Sequence, residues 1–123
     1  MKLNHDCVRD VLLYLEENLS NKPLKIKDIA SHFENDYSLD VVVYTFQKLE
    51  EAKYVSTSAE NTCSKHSLVK TITWKGHNFL DNIRDAKILA KAKQSLSELK
   101  SFSLEVLADI CKELIKAFAF MKF

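Results

Sequence analysis

One glycine and one proline stand in a chain of 123 residues. An all-β fold draws on both at its many turns, so their scarcity excludes a sandwich or barrel and favours helices. A lone glycine also excludes a phosphate-cradling loop, and neither a Walker motif nor a dinucleotide fingerprint is found. No apolar run approaches the ~18 residues that a bilayer span needs. Charge of one sign is lacking too. The net charge is +1, which gives no global pull toward nucleic acid or a membrane surface. The three cysteines, Cys7, Cys63 and Cys111, are odd in number and far apart, which excludes a disulfide framework. Internal repeats and low-complexity segments are absent as well.

What is present suits one globular domain. The chain is 46% apolar and 28% charged, enough to bury a core without metal or disulfides. Met1 to Asp10 is polar and mixed in charge, unlike a signal peptide. With free thiols, this predicts a reduced, cytoplasmic setting.

Helical periodicity dominates. Val8, Val11, Leu12 and Leu15 predict a first helix over 5–18, capped by Asn4. Leu24 to Ile26 reads as a short strand, and Lys27 to Phe33 as a short helix. Ser38 caps a third helix over 39–52, with Leu39, Val42, Val43, Phe46 and Leu49 as its core stripe. A strand begins at Lys53-Tyr54-Val55, a polar loop covers 56–67, and Leu68 to Thr73 returns as a second strand. On that strand Leu68, Lys70 and Ile72 are expected on one face, with Val69, Thr71 and Thr73 on the other.

Thr73 then caps a fourth helix, and Gly76 leaves room where it returns against the sheet. Asp85 starts a fifth segment over 86–99, with Ile88, Leu89, Ala92, Leu96 and Leu99 apolar. Ser103 caps the last helix, over 104–120, which carries two apolar stripes. One is Leu104, Leu107, Cys111, Leu114, Ile115 and Phe118. The other is Val106, Ile110, Ala117 and Phe120, with Met121 and Phe123 trailing. So wide an apolar arc needs more than one neighbour, and a homodimer through this helix is the expectation. The outline is mainly α with a small antiparallel β wing: a winged helix-turn-helix over 1–85, and a helical extension over 86–123 that packs on the core or on a partner subunit. Both lie in one structural domain.

Three motifs carry a family resemblance. Val8-Arg9-Asp10-Val11-Leu12 with Leu15-Glu16-Glu17 opens the chain. Leu49-Glu50-Glu51-Ala52, followed by Tyr54-Val55, marks the helix-to-strand junction. The most specific is Thr73-Trp74-Lys75-Gly76-His77-Asn78-Phe79-Leu80-Asp81-Asn82-Ile83-Arg84-Asp85. At these residues the chain resembles the YjcQ-like proteins, the domain-of-unknown-function family 2513. The resemblance implies a winged-helix protein of bacteria and their prophages, and supplies no catalytic residues. One departure stands out. Lys53 follows Ala52 where many winged helices carry glycine, which suits a left-handed cap better.

Candidate chemistry is sparse. Cys63-x-x-His66 has a metal-compatible spacing but no second pair nearby, so no metal site is expected. Cys7 and Cys111 lie on or beside apolar helix faces and read as core residues. His77, Asp81 and Arg84 share one face of the fourth helix, where a capped helix with ion pairs is the simpler reading than acid catalysis. His77 is expected beside Trp74, fastening the wing to the helix. No enzyme, cofactor or small-molecule substrate is expected.

Two roles follow. In the first, a transcription-regulator-like module binds duplex DNA. Ser38, Tyr44, Thr45, Gln47 and Lys48 of the third helix face bases or backbone, and Lys65, His66 and Lys70 of the wing face phosphate. Against it, Asp36, Asp40, Glu50 and Glu51 surround Lys48. In the second, a docking module without DNA uses Val41 and the aromatic Tyr44 as protein anchors. The fold tips the expectation toward DNA.

Overall fold

The computed structural model describes residues 1–59 and 62–121. It places α1 at His5–Asn18, β1 at Leu24–Lys25, α2 at Ile26–His32, α3 at Leu39–Glu51, β2 at Val55–Thr57 and β3 at Leu68–Ile72. The helices α4 (Trp74–Ile83), α5 (Ala86–Ser95) and α6 (Leu104–Met121) follow. The chain divides into two compact units, Met1–His77 and Asn78–Phe123. The division falls inside α4, ahead of the 85/86 boundary read from the sequence. Phe123, placed on the second apolar stripe of the last helix, lies outside the described residues.

In the first unit, polar caps set the helix starts. Asn4 Oδ1 accepts from the Cys7 amide at 3.0 Å, and Ser38 Oγ accepts from the Val41 amide at 3.2 Å. The α1 stripe of Cys7, Val8, Val11, Leu12 and Leu15 is buried, as are Ile26, Ile29 and Ala30 of α2. Tyr37, in the turn before α3, donates to Asp10 Oδ2 at 2.6 Å and so ties that turn to α1. Burial and this bond hold its hydroxyl protonated well above the usual tyrosine range.

The buried stripe of α3 is Val42, Thr45, Phe46 and Leu49. Leu39 is exposed and Val43 half-buried, which corrects the expected stripe. Thr45 enters the core because its hydroxyl is satisfied there. It donates to the Val41 carbonyl at 2.8 Å and lies 3.4 Å from Cys7 Sγ.

The sheet is antiparallel in the order β1-β3-β2. Leu24 pairs with Val69 and Lys25 with Leu68. On the other side Val55 pairs with Ile72, Ser56 with Thr71, and Thr57 with Val69. Lys70 is therefore the extra residue of a bulge. The bulge explains the imperfect alternation of this run. Val69 and Ile72, three apart, are both buried, whereas strict alternation would put them on opposite faces. Ser56 and Thr57, assigned to the loop from sequence, belong to β2. The Thr57 hydroxyl bonds the Glu50 carboxylate, which fastens the strand to α3.

The end of α3 adopts the left-handed cap despite its lysine. Lys53 has φ 65°. Its amide donates to the Glu50 carbonyl at 2.9 Å, and that of Tyr54 to the Leu49 carbonyl at 2.9 Å. Those two bonds make a complete Schellman cap, with Leu49 and Tyr54 both buried. The left-handed state costs a β-carbon-bearing residue about 1–2 kcal/mol. Lys53→Gly is therefore expected to raise stability by about 0.5–1 kcal/mol, once glycine's extra unfolded-state entropy is counted. Urea denaturation followed by circular dichroism checks this, and a destabilised variant would show that Lys53 is held by something other than the cap.

Three bonds fasten α4 to the ribbon. Thr73 donates from its amide to the Tyr54 carbonyl at 3.0 Å and from its hydroxyl to the Lys53 carbonyl at 2.6 Å. The same hydroxyl caps α4 by accepting from the Gly76 amide at 3.0 Å. A Cβ on Gly76 would overlap the Tyr54 carbonyl oxygen and lie 2.8 Å from Ile72 Cγ2. The close approach anticipated from the sequence is thus what this glycine provides. Trp74 does not take part: it is 83% exposed, which corrects its expected packing beside His77.

In the second unit α5 packs against α6. Asp85 caps α5, accepting from the Lys87 amide at 2.8 Å and the Ile88 amide at 3.0 Å. The helix ends at Ser95, earlier than expected. Leu96, Ser97 and Leu99 donate back three residues, tightening the chain out of α-helix and leaving Leu99 exposed. Leu107, Ala108 and Cys111 form the buried face of α6. Phe118, expected on that face, is exposed.

Candidate nucleic-acid interface

On the winged-helix expectation from the sequence, the outer face of α3 would be the surface offered to a groove. The structure withdraws much of it. Thr45 is fully buried, which corrects its assignment as a contact. Gln47 is half-buried and donates from Nε2 to the Cys63 carbonyl at 2.9 Å, so its amide holds the wing loop. Ser38 is exposed, and its hydroxyl oxygen serves the cap of α3. Lys48 Nζ pairs with Glu51 at 3.0 Å and lies 5.3 Å from the centre of the Tyr44 ring. The hydrogen bond to Glu51 raises its pKa further. What remains outward is a strip of half-buried Val41 and Tyr44, with exposed Leu39, Asp36 and Asp40 close by in sequence.

The wing loop behaves differently. Ser64 and Ser67 order it: the Ser64 amide donates to Ser67 Oγ at 3.0 Å, and the Ser67 amide to the Ser64 carbonyl at 3.1 Å. Its returning limb docks on the start of α2. The Lys27 amide donates to the Lys65 carbonyl at 2.9 Å, and the Ile26 amide to the Ser67 carbonyl at 3.0 Å. Lys25 faces Leu68 across the ladder. The register therefore brings Lys25, Lys27, Lys65 and His66 to one edge, all exposed. None of the four has an ion pair among the described residues. Asp28, also exposed, is the acid in the first turn of α2. Lys65 and His66 were legible in the sequence. Lys25 and Lys27 were not, because only the pairing of β1 with β3 reveals their neighbours. Lys70, the third wing candidate, lines a small cleft with Glu16, Ser20 and His77.

The remaining candidate chemistry resolves into structure. All three cysteines are free and buried, and desolvation pushes each thiol's pKa up, away from the reactive thiolate. Cys63 is buried while His66 faces solvent. Among the described residues no group of three or more His, Cys, Asp or Glu side chains is placed to hold a metal ion. Arg84 pairs with Asp81 at 3.1 Å, while Asp85 caps α5. No helix among the described residues is long and apolar enough to cross a membrane.

The sequence motifs at α1, at the α3–β2 junction and at α4 fall within one match. Residues 2–103 match the family described as "Hypothetical protein (DUF2513)". The chain belongs to this family. One relative is similar along nearly its whole length: an uncharacterised protein of Haemophilus influenzae, 29% identical over 114 residues, covering 92% of this chain and 91% of its own. No solved structure matches the chain significantly. The matched span of the DUF2513 protein stops at Ser103, so α6 lies beyond it.

Proposed function

We propose that Met1–His77 is a winged helix that binds duplex DNA, and that its grip comes mainly from phosphate contacts rather than from base reading. The element order and the β1-β3-β2 sheet agree with that fold. The observation that carries the reading is the exposed cationic edge of Lys25, Lys27, Lys65 and His66. Duplex affinity depends on such cations, through release of condensed counterions. The α3 surface adds little to base recognition, since Thr45 and Gln47 are engaged internally and Lys48 is paired with Glu51. Weak sequence selectivity follows. The module catalyses no reaction in this reading.

A second reading rests on the other face. Val41 and Tyr44, with Asp36 and Asp40 near them in sequence, make an aromatic-centred, acid-bordered strip better suited to a protein than to a polyanion.

Fluorescence anisotropy with a random-sequence duplex separates the two. On the DNA reading, affinity falls steeply as salt rises, and Lys27→Ala and Lys65→Ala each flatten the logarithmic salt slope by about 1. Tyr44→Ala leaves that slope unchanged. Absence of binding at low salt would remove the DNA role and leave the docking strip.

A further inference from the structure

The outward face of α6 repeats at positions 106, 110, 113, 117 and 120, an alternation of four and three residues. That is the spacing of a coiled-coil seam. The seam holds Val106, Ile110, Glu113, Ala117 and Phe120. Val106 is 42% exposed and Phe120 79%, while Leu107, Ala108 and Cys111 take the buried face. Helical geometry puts the seam well round from that face, about 140° away. Ile110 is half-buried, while Glu113 and Ala117 are exposed, so much of this face is left for a partner to cover.

The flanks of the seam say what does. On one side lie Glu105, Asp109, Lys112 and Lys116, all exposed, with acids toward the N-terminus and bases toward the C-terminus. On the other lie Leu114 and Met121. A parallel partner would set the charged flank of one helix against the apolar flank of the other. An antiparallel partner sets like flank against like flank, so the acidic half of one copy meets the basic half of the next. We propose that α6 pairs antiparallel with α6 of a second copy of this chain. In that register, centred on Glu113, Val106 lies level with Phe120 of the other copy, and Ile110 lies within one residue of the small Ala117. Asp109 meets Lys116 across the interface. Glu113 sits at the midpoint, held by Lys116 of its own helix at 3.7 Å and within the reach of Lys112 from the opposing one. A polar residue at one seam position fixes register at some cost in stability. The occupant is chosen by this charge order, since the two halves of α6 complement only a reversed copy of themselves.

Sedimentation equilibrium of the full chain tests it, with circular dichroism confirming helicity in each variant. The wild-type chain is expected to dimerise with increasing concentration. Val106→Glu and Phe120→Glu alter exposed side chains and abolish the dimer without loss of helix. Asp109→Lys and Lys116→Asp each weaken it about tenfold, and the double variant recovers most of that loss. A helical monomer at all concentrations overturns the proposal, as does a dimer indifferent to Phe120→Glu. So does a double variant no better than the single ones, which would mean another orientation. Binding of a monomeric chain to anionic lipid vesicles, lost on Phe120→Glu, would give the face to a membrane surface instead.

Discussion

Gly76→Ala is expected to lower the free energy of unfolding by about 2–3 kcal/mol. Helix propensity alone predicts the reverse, a gain of about 1 kcal/mol for alanine inside a helix. The steric term wins because of what the new methyl meets. It would overlap the carbonyl oxygen of Tyr54 and press on Ile72 Cγ2. That carbonyl cannot swing away cheaply, since it accepts the Thr73 amide at 3.0 Å and follows the left-handed turn at Lys53. Relief requires moving the start of α4 off the ribbon, which strains the Thr73 cap as well. Urea denaturation followed by far-ultraviolet circular dichroism measures the loss, with Asn78→Ala on the exposed side of α4 as a control expected within about 0.5 kcal/mol of wild type. If Gly76→Ala is as stable as wild type, the close passage of α4 over Tyr54 is wrong. Tryptophan emission is a poor reporter for this experiment, because Trp74 is largely exposed in the folded chain.

Phe46→Ala is expected to cost about 3–5 kcal/mol, enough to unfold much of the first unit at ambient temperature. Phe46 has no exposed surface, and it lies on the helix that packs against α1, α2 and β2. Removing the ring leaves a cavity that three separate elements would have to close together. Phe46→Leu keeps most of the volume and should cost no more than about 1.5 kcal/mol. Equal losses in the two variants would show that ring shape, not filled volume, holds this part of the core.

Much of this fold was legible before any coordinate. Asn4, Ser38 and Asp85 announced their helices because a side-chain acceptor before an apolar stripe has few other uses. Gly76 announced a close approach because it was the only glycine. The failures are equally specific. Thr45 reads as polar and outward, yet its hydroxyl finds a carbonyl four residues back and a sulfur on another helix. The faces of β3 were inverted past Lys70, since one bulge reverses every later residue. Trp74, expected beside His77 to fasten the wing, stands largely exposed instead. In the candidate interface, Lys65 and His66 were visible as wing residues, whereas Lys25 and Lys27 lay some forty positions earlier with nothing local to connect them.

Local signals set the helices, their caps, the family and the mixed charge of the chain, because each depends on residues within a few positions of one another. The tertiary structure alone decided which cations stand together, which polar groups of α3 are already engaged, and which side of β3 faces the core. Those outcomes depend on strand register and on partners distant in sequence, and periodicity along one segment does not encode them.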